Sequence, residues 1–118
     1  MSDDIILEQD GRILRATFNR TPDNGVSDSM ARTFSEAILS AHKNSDMVLL
    51  RSTGPDFCTG RIRDDSAGPP SLEAYSRRPE YDAIFGCYRS IKDAQVPVVT
   101  VIEGRRMGFG TAVTAVSD

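Results

Sequence analysis

The apolar positions of this chain fall into short β-branched runs that alternate with stretches at helical spacing. Ile5-Ile6-Leu7-Glu8 and Ile13 to Phe18 are β-rich and flank Gln9-Asp10-Gly11-Arg12, where Asp-Gly supplies the positive φ of a hairpin turn. Behind a polar loop from Asn19 to Gly25, Met30, Phe34, Ala37, Ile38 and Ala41 recur at helical spacing. They predict a helix from about Asp28 to Lys43, with Ser27 as N-cap, Asp28 in the first turn and His42 and Lys43 at the positive-preferring end. Met47 to Ser52 is a continuous apolar run, which predicts a strand buried on both faces.

A second helix is predicted from roughly Pro79 to Asp93, with Tyr81, Ile84, Phe85, Tyr88 and Ile91 on one face. It leads to Val98, Val99, Val101 and Ile102 behind Pro97, a second strand expected to be covered on both faces. Gly104, Gly108 and Gly110 then punctuate the chain, and a buried helix is expected to begin near Gly108 or Phe109 and run to Val116. The mixed segment from Ile62 to Arg78 reads as a loop of the kind that closes over a site. Hairpin, helix, strand, loop, helix, strand, helix is an α/β arrangement.

At 118 residues the chain accommodates one small domain. Its last predicted helix is apolar and is followed only by Ser117 and Asp118, so the expectation is an incomplete core that needs a further segment or a partner chain. A formal net charge of −3 gives no basic footprint for nucleic acid. No run approaches membrane-spanning length and the first residues are acidic, so the chain is read as cytoplasmic, with no membrane partner. Two cysteines, Cys58 and Cys87, and one histidine, His42, form neither a zinc spacing nor a disulfide framework, and buried thiols are expected rather than a Cys58–His42 pair.

Two glycine turns carry the candidate chemistry. Phe57-Cys58-Thr59-Gly60-Arg61 follows one buried strand and Met107-Gly108-Phe109-Gly110 follows the next, so both can lie at the same edge of one sheet. If they meet, the backbone N–H groups of Arg61 and Phe109 can converge on a carbonyl oxygen as an oxyanion hole, each donor being worth about 3 to 4 kcal/mol of the barrier. Two plain tight turns satisfy the same spacing. Gly108-x-Gly110 is a weak dinucleotide fingerprint, because Val113 stands where a third small residue belongs.

GPDFCTGRIRDD resembles the FCAGxD-type stretch of the crotonase (enoyl-CoA hydratase/isomerase) superfamily, and PVVTVIEGRRMGFGTAVTAVSD resembles its strand, glycine turn and helix ending in Asp. Asn19-Arg20 through Asn24-Gly25-Val26-Ser27 is similar to the family's early NRP…NAL[ST] segment. The resemblance spans nearly the whole chain and implies the N-terminal portion of a crotonase-like ββα spiral of strand–helix units. It also implies an acyl-coenzyme A thioester as substrate and ligand, no cofactor or metal beyond it, and assembly as a homo-trimer or hexamer.

By the same resemblance the oxyanion hole falls on the N–H groups of Arg61 and Phe109, with Phe109 narrowing the acyl pocket. Cys58, Gly60, Gly108 and Gly110 shape the site, and Arg63 and Arg105, with Arg61 and Arg106, are candidates for phosphate contacts or for plain solvated arginines. The hydratase glutamate of the last helix falls on Ala112, and the usual Asp of FCAGxD is Ile62. Hydration by paired carboxylates is therefore not supported, and enoyl-CoA isomerase-like chemistry or a non-catalytic acyl-CoA-binding subunit is expected. Asp64 and Asp65 read as solvated, and Glu103 as a hydrogen-bonding group at the strand end.

Overall fold

A computed structural model describes residues 4–62 and 78–118. The expected closing loop and Arg63, Asp64 and Asp65 lie outside the described residues. Strands β1 (Ile5–Asp10) and β2 (Ile13–Phe18) form the antiparallel hairpin, turning at Gly11 with φ +58°. Helix α1 (Asp28–Ser40) follows, capped by the Ser27 hydroxyl, which accepts from Met30 N–H at 3.2 Å. A short 3-10 turn over Ala41–Lys43 completes the predicted length, and there His42 Nδ1 lies 3.1 Å from the Leu39 carbonyl.

Strand β3 (Met47–Ser52) pairs parallel to β2, and after helix α2 (Arg78–Asp93) strand β4 (Val98–Thr100) pairs parallel to β3. Helix α3 (Phe109–Val116) then starts where the glycine turn ends. The sheet order is β1-β2-β3-β4. Because β2, β3 and β4 are parallel, the segments leaving β3 and β4 emerge at one edge of the sheet, and this is what brings the two glycine turns together.

One face of the sheet carries Ala16, Phe18, Val48, Leu50 and Val98, all buried against the helices. Phe18 and Phe34 stack at 5.8 Å between ring centroids, with Phe57 edge-on to Phe18 at 5.5 Å. The opposite face corrects the expectation of double coverage. Burial along β3 alternates, and Val99 and Val101 are 38% and 46% exposed. Among the described residues the continuous apolar runs face helices on one side only, so the sheet obeys a period of two that the sequence hides.

Helix α2 keeps Ile84 and Ile91 of its expected face buried and departs from it at Phe85, while the Tyr81 side chain lies outside the described residues. Ala83, Ile84, Cys87 and Ile91 form its buried stripe, while Phe85 is 54% exposed and packs edge-on to Tyr88 at 6.0 Å. Small Ala83 and Cys87 let α2 approach α1, and Cys87 Sγ lies 3.1 Å from the Ala31 carbonyl. Among the described residues no helix is long and apolar enough to cross a membrane.

Candidate functional site

The segment before α1 builds the first turn. Asn24, fully buried at φ 52°, donates through Nδ2 to the carbonyls of Thr53 and Asp56, both at 2.7 Å, and its Oδ1 accepts from Arg20 N–H at 2.8 Å. Its neighbour Asp23 accepts at its carbonyl from both Thr59 N–H and the Thr59 hydroxyl at 3.0 Å. Val26 N–H then donates to Gly60 O at 2.9 Å, and Ile62 N–H to Val26 O at 2.8 Å, a parallel bridge between Val26 and Arg61. In extended backbone, groups on successive residues alternate sides, so with Gly60 O and Ile62 N–H facing Val26, the Arg61 N–H is directed to the opposite side.

The second turn is laced to the first. Phe57 and Cys58 N–H groups donate to Arg105 O at 3.0 and 3.3 Å, and Met107 N–H returns to Cys58 O at 2.9 Å, with a parallel bridge between Cys58 and Arg106. Beyond this ladder the two glycines lie near each other: a Cβ on Gly108 would stand 3.6 Å from Gly60 Cα, and one on Gly60 would stand 3.7 Å from Met107 O. Gly108 adopts φ +51°, ψ −114°, a region that side chains rarely enter, and this bend launches α3. Arg61 and Phe109 are the residues that follow these two glycines.

Phe109 is the first residue of α3, where N–H groups have no partner within the helix. Around it Gly110 N–H donates to Met107 O and Ala112 N–H to Gly108 O, and no acceptor takes the Phe109 N–H among the described residues. Its ring is a core group, 3% exposed, set against Phe18, Phe34 and Tyr88 at 6.3, 6.3 and 5.6 Å. The side chain thus anchors the start of α3 in the core.

Cys58 lies under both turns as a fully buried, unpaired thiol. Burial pushes it up to about 11, with the backbone N–H groups of Gly60 and Gly110 pulling the other way. Burial likewise raises the Cys87 thiol to about 11 and shifts the Tyr88 phenol upward. Neither cysteine approaches an activated nucleophile.

The arginines are placed less simply than the sequence suggests. Arg61 reaches back to Asp28 at 3.3 Å. Arg105 forms a fork with Asp56, Nε to Oδ1 at 3.1 Å and Nη2 to Oδ2 at 2.8 Å, and this guanidinium holds the Asp56 carboxyl below the usual carboxylate range. Arg106 and Met107 are exposed on the second turn, and Ala112 is half-buried in the first turn of α3. Glu103 is exposed and lines, with Leu49, Arg51, Ser52 and Val101, a depression of about 180 Å³ formed apart from the glycine turns.

Asn24 and Asp56, which hold the turns in place, were not among the candidate residues. Composition marks Asn19 to Gly25 as a loop, but nothing local signals the two carbonyl partners of Asn24, 29 and 32 residues away. Among the described residues no group of three or more His, Cys, Asp or Glu is placed to hold a metal ion.

No family model matches this sequence, and a search of curated proteins returns no match. Solved structures do match. An enoyl-CoA hydratase from Mycobacterium smegmatis is similar at TM-score 0.84 and 23% identity, with 99% of this chain and 46% of that one covered. An enoyl-CoA hydratase/isomerase from Marinobacter aquaeolei gives 0.83 and 24%, covering 99% and 47%. A Legionella pneumophila protein described as an enoyl-CoA hydratase/isomerase (crotonase) gives 0.85 and 19%, covering 98% and 46%. The chain spans less than half the length of these structures, and over that span its four-stranded sheet and helices have the crotonase fold.

Proposed function

We propose that this chain contributes the thioester-polarising half of an acyl-CoA-processing centre. The Arg61 and Phe109 N–H groups donate to the carbonyl oxygen of an acyl-CoA thioester and stabilise the enolate formed when an adjacent carbon loses a proton. The observation that supports this reading is the near approach of Gly60 and Gly108, the residues before the two proposed donors, at the edge where parallel strands deliver their loops. Main-chain donors fixed by a hydrogen-bonded ladder need no rearrangement as charge develops, which is the condition for a large electrostatic contribution.

Double-bond migration is favoured over hydration. Ala112 has no carboxylate to position water, Asp28 and Asp56 flank the turns but are paired with Arg61 and Arg105, and Glu103 is exposed beside Arg51 and Val101. The proton-transfer group on this reading comes from outside residues 4–62 and 78–118. The same commitment of nearby carboxylates supports a second reading, a non-catalytic subunit that binds acyl-CoA. Assembly as a homo-trimer or hexamer goes with either.

The test is deuterium exchange at the α and γ carbons of 2- and 3-enoyl-CoA thioesters, followed by NMR with the full natural chain. Phe109→Pro removes the N–H at a helix position where proline is tolerated, and Phe109→Leu keeps the N–H while altering the ring. Exchange lost in the proline variant and retained in the leucine variant supports the enolate reading. Saturable binding without exchange supports the binding subunit, and no binding contradicts both.

A further inference from the structure

Arg105 and Asp56 lie at the base of the two turns, and the segments that carry them bond in both directions. The Asp56 carboxylate accepts from Arg105 N–H at 3.0 Å, from Nε at 3.1 Å and from Nη2 at 2.8 Å. In return the Arg105 carbonyl accepts from Phe57 and Cys58. The Asp56 carbonyl is in turn held by Asn24 Nδ2 at 2.7 Å. Arg105 therefore engages the first segment through both backbone and side chain, while Asp56 meets Arg105 through its carboxylate alone.

The two partners differ in exposure. The Asp56 side chain is 10% exposed and the Arg105 side chain 67%. A nearly dry carboxylate depends on its protein donors, because water reaches it poorly and an unpaired charge there is costly. Planar guanidinium and carboxylate meeting along two bonds also fix orientation, which a single contact does not. From this anchor each chain runs only a few residues to its proposed donor: Asp56 to Arg61 through the rung at Cys58 O, and Arg105 to Phe109 through Met107 N–H. The ladder is the hydrogen-bonded route by which a change of angle at the base would reach the donors.

We propose that the Asp56–Arg105 pair is a positioning device that sets the separation of the Arg61 and Phe109 N–H groups, so that Arg105 acts on the rate of enolisation and not on the binding of coenzyme A phosphates. This rests on the thioester reading above. A phosphate contact strengthens ground-state and transition-state binding alike and appears in KM, whereas donor spacing matters most when charge develops and appears in kcat.

The test uses the full natural chain with Asp56→Asn, Arg105→Met and the double variant, after thermal unfolding has established which are folded. Arg105→Met alters a largely exposed side chain and leaves its backbone bonds in place, so the proposal stays testable if Asp56→Asn does not fold. Two readouts are taken: kcat and KM for α-proton exchange, and the carbonyl stretch of a bound, carbonyl-¹³C-labelled saturated acyl-CoA. The expected result is a fall in kcat of about tenfold or more with KM within about twofold, since a misplaced donor costs less than a lost one. The carbonyl stretch should move back toward that of the free thioester, and the double variant should be no worse than the poorer single one. A rise in KM with kcat unchanged assigns Arg105 to phosphate binding and overturns the proposal. A shifted stretch in the unaltered chain that persists in the variants overturns this inference alone. An unaltered chain that binds thioester without shifting its carbonyl overturns the donor assignment and this inference with it.

Discussion

The Cys58 carbonyl and Gly110 are in such close approach that a Cβ on Gly110 would stand 2.5 Å from the carbonyl oxygen and 3.0 Å from the Cys58 Cβ. Helix α3 can dock on the first turn only because that Cβ is absent. Gly110→Ala is expected to push the turns apart and destabilise the fold by about 1–3 kcal/mol, the usual range for overpacking. The opposite sign is expected at Gly86, inside α2, where a Cβ meets nothing nearer than Ser35 Oγ at 3.8 Å. Gly86→Ala should stabilise by about 0.5–1 kcal/mol through helix propensity. Urea unfolding of the two variants checks both signs.

Asn24 satisfies three backbone groups at once. Asn24→Ala leaves two carbonyls and one N–H to find other partners, and a loss upward of about 2 kcal/mol is expected, since each buried unsatisfied group costs about 1–3 kcal/mol. Asn24→Gly accepts the positive φ but makes none of the bonds. If it is as destabilised as the alanine variant in denaturant titration, the hydrogen bonds carry the effect; full recovery would assign it to backbone strain.

Arg105 depresses Asp56 below its unfolded value, mainly by the side-chain hydrogen bonds and then by the backbone one. A depressed carboxylate contributes stability that is present above its unfolded pKa of about 3.9 and is lost as pH falls through the folded value. Acid unfolding should therefore steepen below about pH 4, and Asp56→Asn should flatten that limb while leaving the slope near neutrality unchanged. An identical acid limb in the variant contradicts the pairing.

Both thiols are buried and raised to about 11. A thiol reagent at pH 8 is expected to leave Cys58 and Cys87 unmodified in the folded chain and to label both after unfolding, because little thiolate forms and access is closed. Stoichiometric labelling of Cys58 without unfolding would contradict its placement beneath the turns.

Much of the fold was legible because its signals are local. Asp10-Gly11 marked the hairpin, Ser27 the start of α1, and Gly108 the start of α3, each by a conformational preference that acts within a few residues. The open face of the sheet was not legible: Leu49, Val99 and Val101 are as apolar as the buried Val48, Leu50 and Val98, so composition alone cannot separate the two sides. On α2, Ile84 and Ile91 were legible as core, but small Ala83 and Cys87 gave way to Phe85 as an apparent core residue. At the site, glycine spacing located both turns, yet Arg105 read as a free cation. Its partner Asp56 is 49 residues away, a separation at which pairing leaves no local trace.

The most direct measurement is a ¹H–¹⁵N correlation spectrum of the full natural chain titrated with a saturated acyl-CoA thioester. The Arg61 and Phe109 amide protons are expected to move downfield together, saturating with one dissociation constant, as both take up the thioester oxygen. Saturable binding that leaves both amides in place, or moves only one, would contradict a two-donor oxyanion hole at the junction of Gly60 and Gly108.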